Sequence, residues 1–303
     1  MIWQFGVVPL FKGGVFSVHG GRGGCVMGCQ RRWLAFVACV CLTSVCLAQK
    51  PDPSGPGDEP NLTEDQKQQF LLNAKVLSSK QLGKGTTHPW RLTLSDGQVT
   101  HDAAFQSIDE HKSEMRFDDG RTELNFVDSY HYDIAGYQLA KLVGMDDMIP
   151  VTVERKWNGQ EGALSWWIPW KWDEAMRHQQ NLHPPDPDAW NKQMYKVRVF
   201  DQLIYDTDPN LTNVLITADW KIWRIDFTRA FRLQKDLKDP KDLVMCNRQL
   251  LEKLRQLDGD TVLEKTRPHL NKGEVKAVMA RRDKIMQTFQ KLVAQKGEAA
   301  VLY

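Results

Sequence analysis

The chain has 303 residues, of which 42% are hydrophobic and 10% aromatic. This is the composition of a globular protein with enough apolar material for a core, so it excludes a fibrous or wholly disordered chain. The formal net charge is +2, but residues 1–48 contain four basic and no acidic residues, which leaves 36 basic against 38 acidic residues in the remainder. A nearly neutral body offers no basic surface, so no nucleic-acid partner is expected.

The N-terminus has the pattern of a secretory signal peptide. Arg31 and Arg32 precede the apolar run 33–48, which ends in small residues and is followed by a polar, proline-rich stretch. Basic, apolar and small residues in that order predict a signal peptide over residues 1–48, cut near Ala48. The run is shorter than the roughly 20 apolar residues of a membrane span, so no stable span is expected after cleavage. An uncleaved anchor is the alternative, and a secreted or periplasmic location is the prediction.

Two further features concern this region. Met27 stands just before the arginines, so residues 1–26 can be a wrongly assigned extension of the true start. Five of the six cysteines precede the predicted cut, which leaves Cys246 alone in the mature chain. The mature chain is therefore expected to have neither an intrachain disulfide nor a cysteine metal site.

After a predicted linker at 49–74, the segment 75–172 is rich in strand patterns. Two extended runs flank Ser95–Asp96–Gly97, which indicates a hairpin, and 124–127 is another short strand candidate. Residues 129–144 predict a helix with Asp128 or Ser129 as N-cap and Gly144 as C-cap. Two more strands are expected at 149–157 and 163–170, joined at Asn158–Gly159.

The segment 173–303 is predicted to be mainly helical. Asp186 and Pro187 can begin a helix whose apolar positions recur at helical spacing as far as Ile204. A short hairpin at 214–225 follows. Three helical stretches are then expected at 239–256, 259–267 and 272–296. The sequence therefore predicts an α+β, bilobal protein with a strand-rich N-lobe at 75–172, a helical C-lobe at 173–303 and a ligand site between them.

The residues that point to chemistry lie between 200 and 231. Asp208 and Asn213 stand five apart in a loop after a buried helix, and Asp226 ends the second strand of the hairpin that follows. Phosphoryl transfer needs oxygen ligands that hold a divalent cation and a carboxylate that orients the attacking hydroxyl. We expect Asn213 and Asp226 to hold the metal and Asp208 to face the nucleophile. Taken singly, each of these residues is an ordinary loop former.

This segment resembles the kinase superfamily. The D-x-x-x-x-N spacing of Asp208 and Asn213, followed by Ile225–Asp226–Phe227, is similar to its catalytic and metal-binding motifs. The form of the motifs is closer to phosphatidylinositol 3-/4-kinases, HipA-type kinases, secretory-pathway kinases and uncharacterised bacterial relatives than to ordinary protein kinases. The resemblance spans about 80–300, but only 200–231 is specific. It implies a kinase-like fold that binds ATP with Mg²⁺ or Mn²⁺.

In the strand-rich segment the resemblance implies three more nucleotide contacts. Gly83–Lys84–Gly85 would cover the nucleotide, Gln106 would stand where these kinases have a lysine, and Asp133 where they have a glutamate. A neutral Gln106 removes the usual ion pair, and a strand residue that faces solvent is the alternative for it. In the loop, Asp206 and Pro209 replace the family's Asn and Arg, which adds negative charge and removes a backbone N–H.

Two functions from different classes follow. The first is a metal-dependent phosphotransferase that moves a phosphoryl group from a nucleotide to a protein or small-molecule hydroxyl. The second is an exported pseudokinase that serves as a binding or scaffold module, which Gln106 and Pro209 favour. Four tryptophans are expected where the two lobes would meet, and they can line an adenine pocket or pack the core: Trp166, Trp167, Trp170 and Trp172.

Other polar residues are predicted to have ordinary surface roles. His101, His111 and His131 lack metal-ligand spacing and are interpreted as scattered surface histidines. The pair Arg281–Arg282 is interpreted as the solvated face of a helix.

Overall fold

The computed structural model describes residues 60–83, 89–117, 120–208 and 210–303. The predicted signal peptide, Lys84, Gly85 and Pro209 lie outside the described residues. The strands are β1 (Lys75–Gln81), β2 (Trp90–Ser95), β3 (Thr100–Gln106), β4 (Asp109–Arg116), β5 (Thr122–Ser129), β6 (Thr152–Trp157), β7 (Gln160–Trp166), β8 (Trp172–Asp173), β9 (Val214–Ile216) and β10 (Ile222–Arg224). The helices are α1 (Glu64–Asn73), α2 (His131–Val143), α3 (Glu174–Gln179), α4 (Pro187–Ile204), α5 (Arg248–Gln256), α6 (Gly259–Thr266) and α7 (Lys272–Lys296).

An antiparallel five-stranded sheet with the order β1-β2-β3-β7-β6 forms most of the strand-rich part. Alternate residues of β2 and β3 are buried on one face, among them Leu92 and Phe105. The hairpin expected at Ser95–Asp96–Gly97 joins these strands, and Gly97 has φ +92°, which glycine adopts without strain. Strands β4 and β5 form a separate two-stranded ribbon.

Helix α1 lies inside the segment that was predicted to be a linker, 49–74. Thr63 accepts from the backbone N–H of Gln66 at 3.2 Å, and the Gln66 side chain accepts from the Thr63 N–H at 2.8 Å. This capping box satisfies two of the N–H groups that a helix start leaves without partners. The linker prediction therefore does not hold for 64–73, since the proline-rich composition ends before Thr63.

One turn of α1 packs into the core of the protein. Phe70 and Leu71 are buried, and the Phe70 ring meets the Trp166 ring edge-on with centroids 5.6 Å apart. Arg155 on β6 donates to the carbonyl oxygens of Leu71 at 2.6 Å and Ala74 at 2.7 Å. These carbonyl groups lie at the C-terminal end of α1, where no following helical turn supplies N–H donors. The Arg155 side chain supplies the donors instead.

Helix α2 contacts both halves of the molecule. It packs against β6 and β7 on one side and against α5 and α6 on the other. Its C-cap is Gly144 with φ +71°, as predicted, whereas the N-cap position is Tyr130 rather than Asp128 or Ser129. Its buried residues belong to the same apolar cluster as those of the sheet and of α4 and α7. This shared core holds the site described below in one position.

The third sheet, β10-β9-β8, begins the helical half. Helix α4 starts as expected, because the Asp186 carboxylate accepts from the N–H groups of Asp188 and Ala189 at 3.0 Å each. The expected α+β arrangement is confirmed. In the part of the chain that the structure describes, no helix combines the length and the apolar character that crossing a membrane requires.

Arg281 of α7 corrects the interpretation of Arg281–Arg282 as a solvated surface. Its side chain is fully buried and donates to the carbonyl oxygens of Leu203 and Arg232, each at 2.8 Å. Arg282 likewise donates to the carbonyl of Leu254 at 3.0 Å. The Arg281–Leu203 bond attaches α7 to the end of α4, shortly before the loop that carries Asp208, and the Arg282–Leu254 bond attaches α7 to α5.

Candidate functional site

A cavity of about 550 Å³ lies between the five-stranded sheet and the third sheet. Four of the residues singled out in the sequence line it, namely Gln106, Asp133, Asn213 and Asp226. They come from β3, α2, the 3₁₀ turn after the α4 loop, and the end of β10. The fold therefore brings together residues that are up to 120 positions apart in the sequence.

Asn213 is positioned by the backbone around it. The Asn210 side chain accepts from the N–H of Thr212 at 3.0 Å and starts a 3₁₀ turn over Leu211–Asn213. The Asn213 carbonyl then accepts from the N–H of Ile225 at 3.0 Å, which joins this turn to the residue before Asp226. Asn213 and Asp226 both line the cavity.

Asp226 follows β10 in a left-handed conformation, with φ +62°. The hydroxyl of Thr228 donates to Asp226 Oδ1 at 2.9 Å and fixes the side chain. The carboxylate has accessible surface because it lines the cavity, but protein surrounds it on its other sides. This burial raises its pKa, and the charges of Asp206 and Asp128 add to the shift.

Asp133 on α2 is the second acidic residue on the cavity wall. Its Oδ1 accepts from the backbone N–H of Phe227 at 2.6 Å. Burial raises its pKa well above the usual range, and the next largest contribution is the charge of Asp226. Helix α2 reaches this position because Gly136 faces the Phe227 ring, where a Cβ atom would come within 2.6 Å of a ring carbon. A larger residue at 136 would push the helix away from the cavity.

Two neighbouring carboxylates that line one cavity repel each other unless a cation neutralises them. Together with the amide oxygen of Asn213 they form the hard oxygen donor set that Mg²⁺ and Mn²⁺ prefer. The residues present therefore fit a divalent cation. Such an ion would supply charge neutralisation for phosphate oxygens.

Asp208 lies apart from these residues. Its side chain is half exposed, and its Oδ2 is 3.6 Å from an amino nitrogen of Arg229. Among the described residues that line the cavity, Asp208 does not appear. A base at this position would face a group that approaches from solvent rather than one held inside the cavity.

Asp206, which was expected to add negative charge beside Asp208, is neutralised instead. It is buried, and its Oδ2 forms an ion pair with the fully buried Arg224. Arg224 Nε also donates to Asp201 at 3.1 Å. Asp206 Oδ1 accepts from the backbone N–H of Asp208 at 2.9 Å, so this residue holds the loop that carries the candidate base. Its role is to shape the loop.

Gln106 lines the cavity on β3, and its Oε1 accepts from the backbone N–H groups of Ser107 and Ile108 at 2.9 and 3.0 Å. The alternative of a strand residue facing solvent does not hold. At the other rim, Leu82 and Pro89 also line the cavity. In the sequence, Leu82 immediately precedes the Gly83–Lys84–Gly85 segment that was expected to cover a nucleotide, and Gly83, the one residue of the three that the structure describes, is exposed.

Three of the tryptophans considered in the sequence, Trp166, Trp167 and Trp170, line the cavity. Trp166 is only 2% exposed and also packs in the core, where its ring stacks on that of His101 at 3.8 Å. The Arg91 guanidinium lies 4.4 Å from the Trp167 ring centroid. Both roles considered from the sequence are therefore observed, because these tryptophans line the cavity and Trp166 also packs in the core.

No protein-family model matches this sequence, and no curated protein matches it. Solved structures do match its fold. The structure of hydra Fam20 with sugar superposes with a TM-score of 0.56 at 13% identity, over 79% of this chain and 92% of that one. The Golgi casein kinase superposes with a TM-score of 0.56 at 14% identity, over 79% and 77%. The same kinase with Mn/ADP bound gives 0.55 at 14% identity, over 79% and 78%.

This chain has a kinase-like fold.

The resemblance inferred from Asp208, Asn213 and Asp226 is thereby confirmed at the level of fold, with secretory-pathway kinases among the structural neighbours. The bilobal α+β class is confirmed with it.

Several residues that shape this site were missed in the sequence. Arg224 and Thr228 flank the I-D-F motif and hold Asp206 and Asp226 in place. Asp128 on β5 is half-buried, its Oδ1 is buried without a hydrogen-bond partner, and desolvation raises its pKa. A signal was available for Arg224 alone, because an arginine inside an apolar strand needs a buried partner.

Proposed function

We propose that this chain binds a nucleotide together with Mg²⁺ or Mn²⁺ in the cavity and transfers a phosphoryl group to a hydroxyl of a protein or small molecule. The observation that carries the proposal is the meeting of Asp133, Asn213 and Asp226 on one cavity wall. The volume of about 550 Å³ suits a nucleotide. The structural neighbour with Mn/ADP bound adds support, since it shares the fold.

In this proposal each residue has a separate task. Asn213, Asp226 and Asp133 hold the cation, and the tryptophans supply the apolar wall against which a base can pack. Asp208 accepts the proton of the acceptor hydroxyl as its oxygen bonds to the γ-phosphorus, and the bond from that phosphorus to the β-phosphate oxygen breaks. The products are a phosphorylated acceptor and a nucleoside diphosphate.

The alternative is a pseudokinase that binds a ligand without transferring phosphate. The observation that favours it is the neutral Gln106, whose carbonyl oxygen is engaged by two backbone N–H groups. A phosphate at this wall would therefore lack the cation that kinase-like enzymes place there. Metal-dependent nucleotide binding without turnover would favour this second function.

The test is thermal unfolding of the full-length protein with ADP and Mn²⁺ or Mg²⁺, beside Asp226→Ala. The proposal expects a metal-dependent rise in Tm for the wild type and its loss in the variant, since a ligand stabilises only the state that binds it. Asp219→Ala is the matched control, because Asp219 is exposed in the turn of the same hairpin. No rise in the wild type, or an equal rise in Asp226→Ala, would refute a nucleotide site here.

We also propose that the protein is exported after cleavage near Ala48. The support is the order of basic, apolar and small residues before that position. Export would place the site where ATP is scarce, so the nucleotide would have to be supplied in that compartment. Mass spectrometry of the mature N-terminus tests this, and an intact residue 1 or 27 would overturn it.

A further inference from the structure

A second cluster of metal-ligating side chains lies away from the cavity. His131 is the first residue of α2, Glu154 is on β6, and His269 is in the connection between α6 and α7. Each offers one ligand atom, and these atoms all lie within 4.8 Å of one another. None of the three is among the described residues that line the nucleotide cavity.

The two imidazoles approach each other closely. Their Nδ1 atoms are 2.9 Å apart, and the ring centroids are 5.2 Å apart. Two nitrogens bound to one zinc ion at about 2.0–2.1 Å would be roughly 3.3 Å apart in tetrahedral geometry. A shift of a few tenths of an ångström in flexible side chains therefore gives metal-binding geometry.

The carboxylate and one imidazole are held from a second direction. The hydroxyl of Tyr130 donates to Glu154 Oε1 at 3.2 Å, which leaves the other carboxylate oxygen available. The Tyr130 ring also lies 4.1 Å from the ring of His131. Such outer contacts orient ligands and are typical of protein metal centres.

A hydrogen bond between two neutral histidines would account for the 2.9 Å distance between the Nδ1 atoms but for nothing else in this cluster. It gives no role to Glu154, and it would not need ligands from three separate elements. Two histidines and a carboxylate are a donor set that proteins use for Zn²⁺, with water in the fourth position. His131 was interpreted from the sequence as a surface histidine, because its partners are 23 and 138 residues away.

We propose that His131, Glu154 and His269 bind one Zn²⁺ ion. The ion joins α2 and β6 of the strand-rich half to the α6–α7 connection of the helical half. Because His131 is two residues before Asp133, the ion also fixes the first turn of α2 and with it the position of Asp133 on the cavity wall. This site is independent of the proposed phosphotransferase function, since it uses none of the same ligands.

The experiment is a zinc titration of the chelator-stripped, full-length protein against a chromophoric competitor. The wild type is expected to bind one equivalent more than His269→Asn and His131→Asn. His111→Asn is the matched control, because His111 is an exposed histidine on β4, and it should behave as the wild type. Zinc bound by the cysteines of residues 1–48, or at Asp226, would persist in every variant and cancel in the comparison.

Two further measurements keep the test decisive. Glu154→Gln retains an acceptor for Tyr130, so it should fold and bind zinc at least about tenfold more weakly. Substitution with Co²⁺ should give a visible d–d absorption band that the histidine variants lack while their circular dichroism is unchanged. Equal zinc stoichiometry and affinity in the wild type, His269→Asn and Glu154→Gln would overturn the proposal.

Discussion

Asp133 Oδ1 accepts a 2.6 Å hydrogen bond from the backbone N–H of Phe227, the residue next to Asp226. The two carboxyl groups are thus tied to adjacent positions across the cavity. The charge of Asp226 raises the pKa of Asp133, and desolvation by the surrounding protein raises the pKa of both carboxyl groups. The chain keeps this costly pair although an asparagine at 133 would make the same hydrogen bond without the charge.

Asp133→Asn should therefore stabilise the metal-free protein and weaken cation binding. The amide keeps an acceptor for the Phe227 N–H but removes one of the two neighbouring charges. We expect a higher Tm without divalent ions, by about 2–4 °C for each kcal/mol gained in a chain of this size. The rise in Tm on adding Mn²⁺ should be smaller than in the wild type. A variant with lower Tm in chelator and an unchanged response to Mn²⁺ would contradict this.

Asp208→Asn should separate catalysis from nucleotide binding. Asp208 is half exposed and outside the described cavity lining, so Mn²⁺·ADP should raise the Tm of this variant as much as that of the wild type. Phosphoryl transfer, followed as ATP turnover, should fall by roughly 10²–10⁴-fold, the usual contribution of a catalytic base. Loss of the ADP-dependent shift would instead place Asp208 among the binding residues.

Gln106→Lys should tighten binding of Mn²⁺·ADP, because a cation would then face the phosphates from β3. The substitution also removes the acceptor for the Ser107 and Ile108 N–H groups, at about 1 kcal/mol for each hydrogen bond. Gln106→Met loses the same bonds without adding charge and is the control. The affinity for Mn²⁺·ADP, measured by calorimetry, should be higher for Gln106→Lys than for Gln106→Met. Equal affinities for the two variants would mean that residue 106 does not contact phosphate.

Arg224→Met should destabilise the protein by about 3–5 kcal/mol, since it leaves Asp206 buried without its charge partner. Adding Asp201→Asn should recover part of this loss. Arg248→Met, which removes an exposed pair with Glu298, should cost less than about 1 kcal/mol. Urea unfolding measures all of these variants. An Arg224 variant as stable as the Arg248 variant would refute the assignment of a required buried pair.

The ionisation of Asp201 should make the stability of the protein fall as the pH rises. Burial raises its pKa to about 6, Arg224 opposes the shift, and Asp206 adds to it. A carboxyl with a raised pKa in the folded state holds its proton more tightly there, so its contribution to stability is complete below about pH 4 and is lost as the pH rises towards 6. The Asp201→Asn variant does not lose this stability. The difference between its Tm and the Tm of the wild type should therefore increase as the pH rises from about 4 to about 6. A difference that does not vary with pH would contradict the shift.

The elements that were predicted from the sequence are those with local signals. The hairpin at Gly97, the capped helix α4 and the C-cap at Gly144 each depend on a few neighbouring residues. Helix α1 was missed because a proline-rich stretch precedes it, although the capping box at Thr63 was present in the sequence. The average composition of the segment does not reveal a capping signal that consists of only two residues, Thr63 and Gln66.

The parts that were not predicted depend on contacts between distant segments. Arg281 was taken for a surface residue because a helix pattern does not show which carbonyl groups of α4 lie opposite it. The neutralisation of Asp206 likewise needs Arg224, 18 residues later on another element. The grouping of Asn213 and Asp226 could be inferred only because their spacing matches a known family.

The contact between α1 and the sheet determines how the chain can be shortened. Phe70 of α1 meets the ring of Trp166 edge-on, and Trp166 also lines the cavity. A version that starts after Asn73 would remove Phe70 from its contact with Trp166 and would leave Arg155 without the Leu71 carbonyl as an acceptor. Residues before the first strand thus support one wall of the cavity, and a shortened version that keeps this support must begin no later than Thr63.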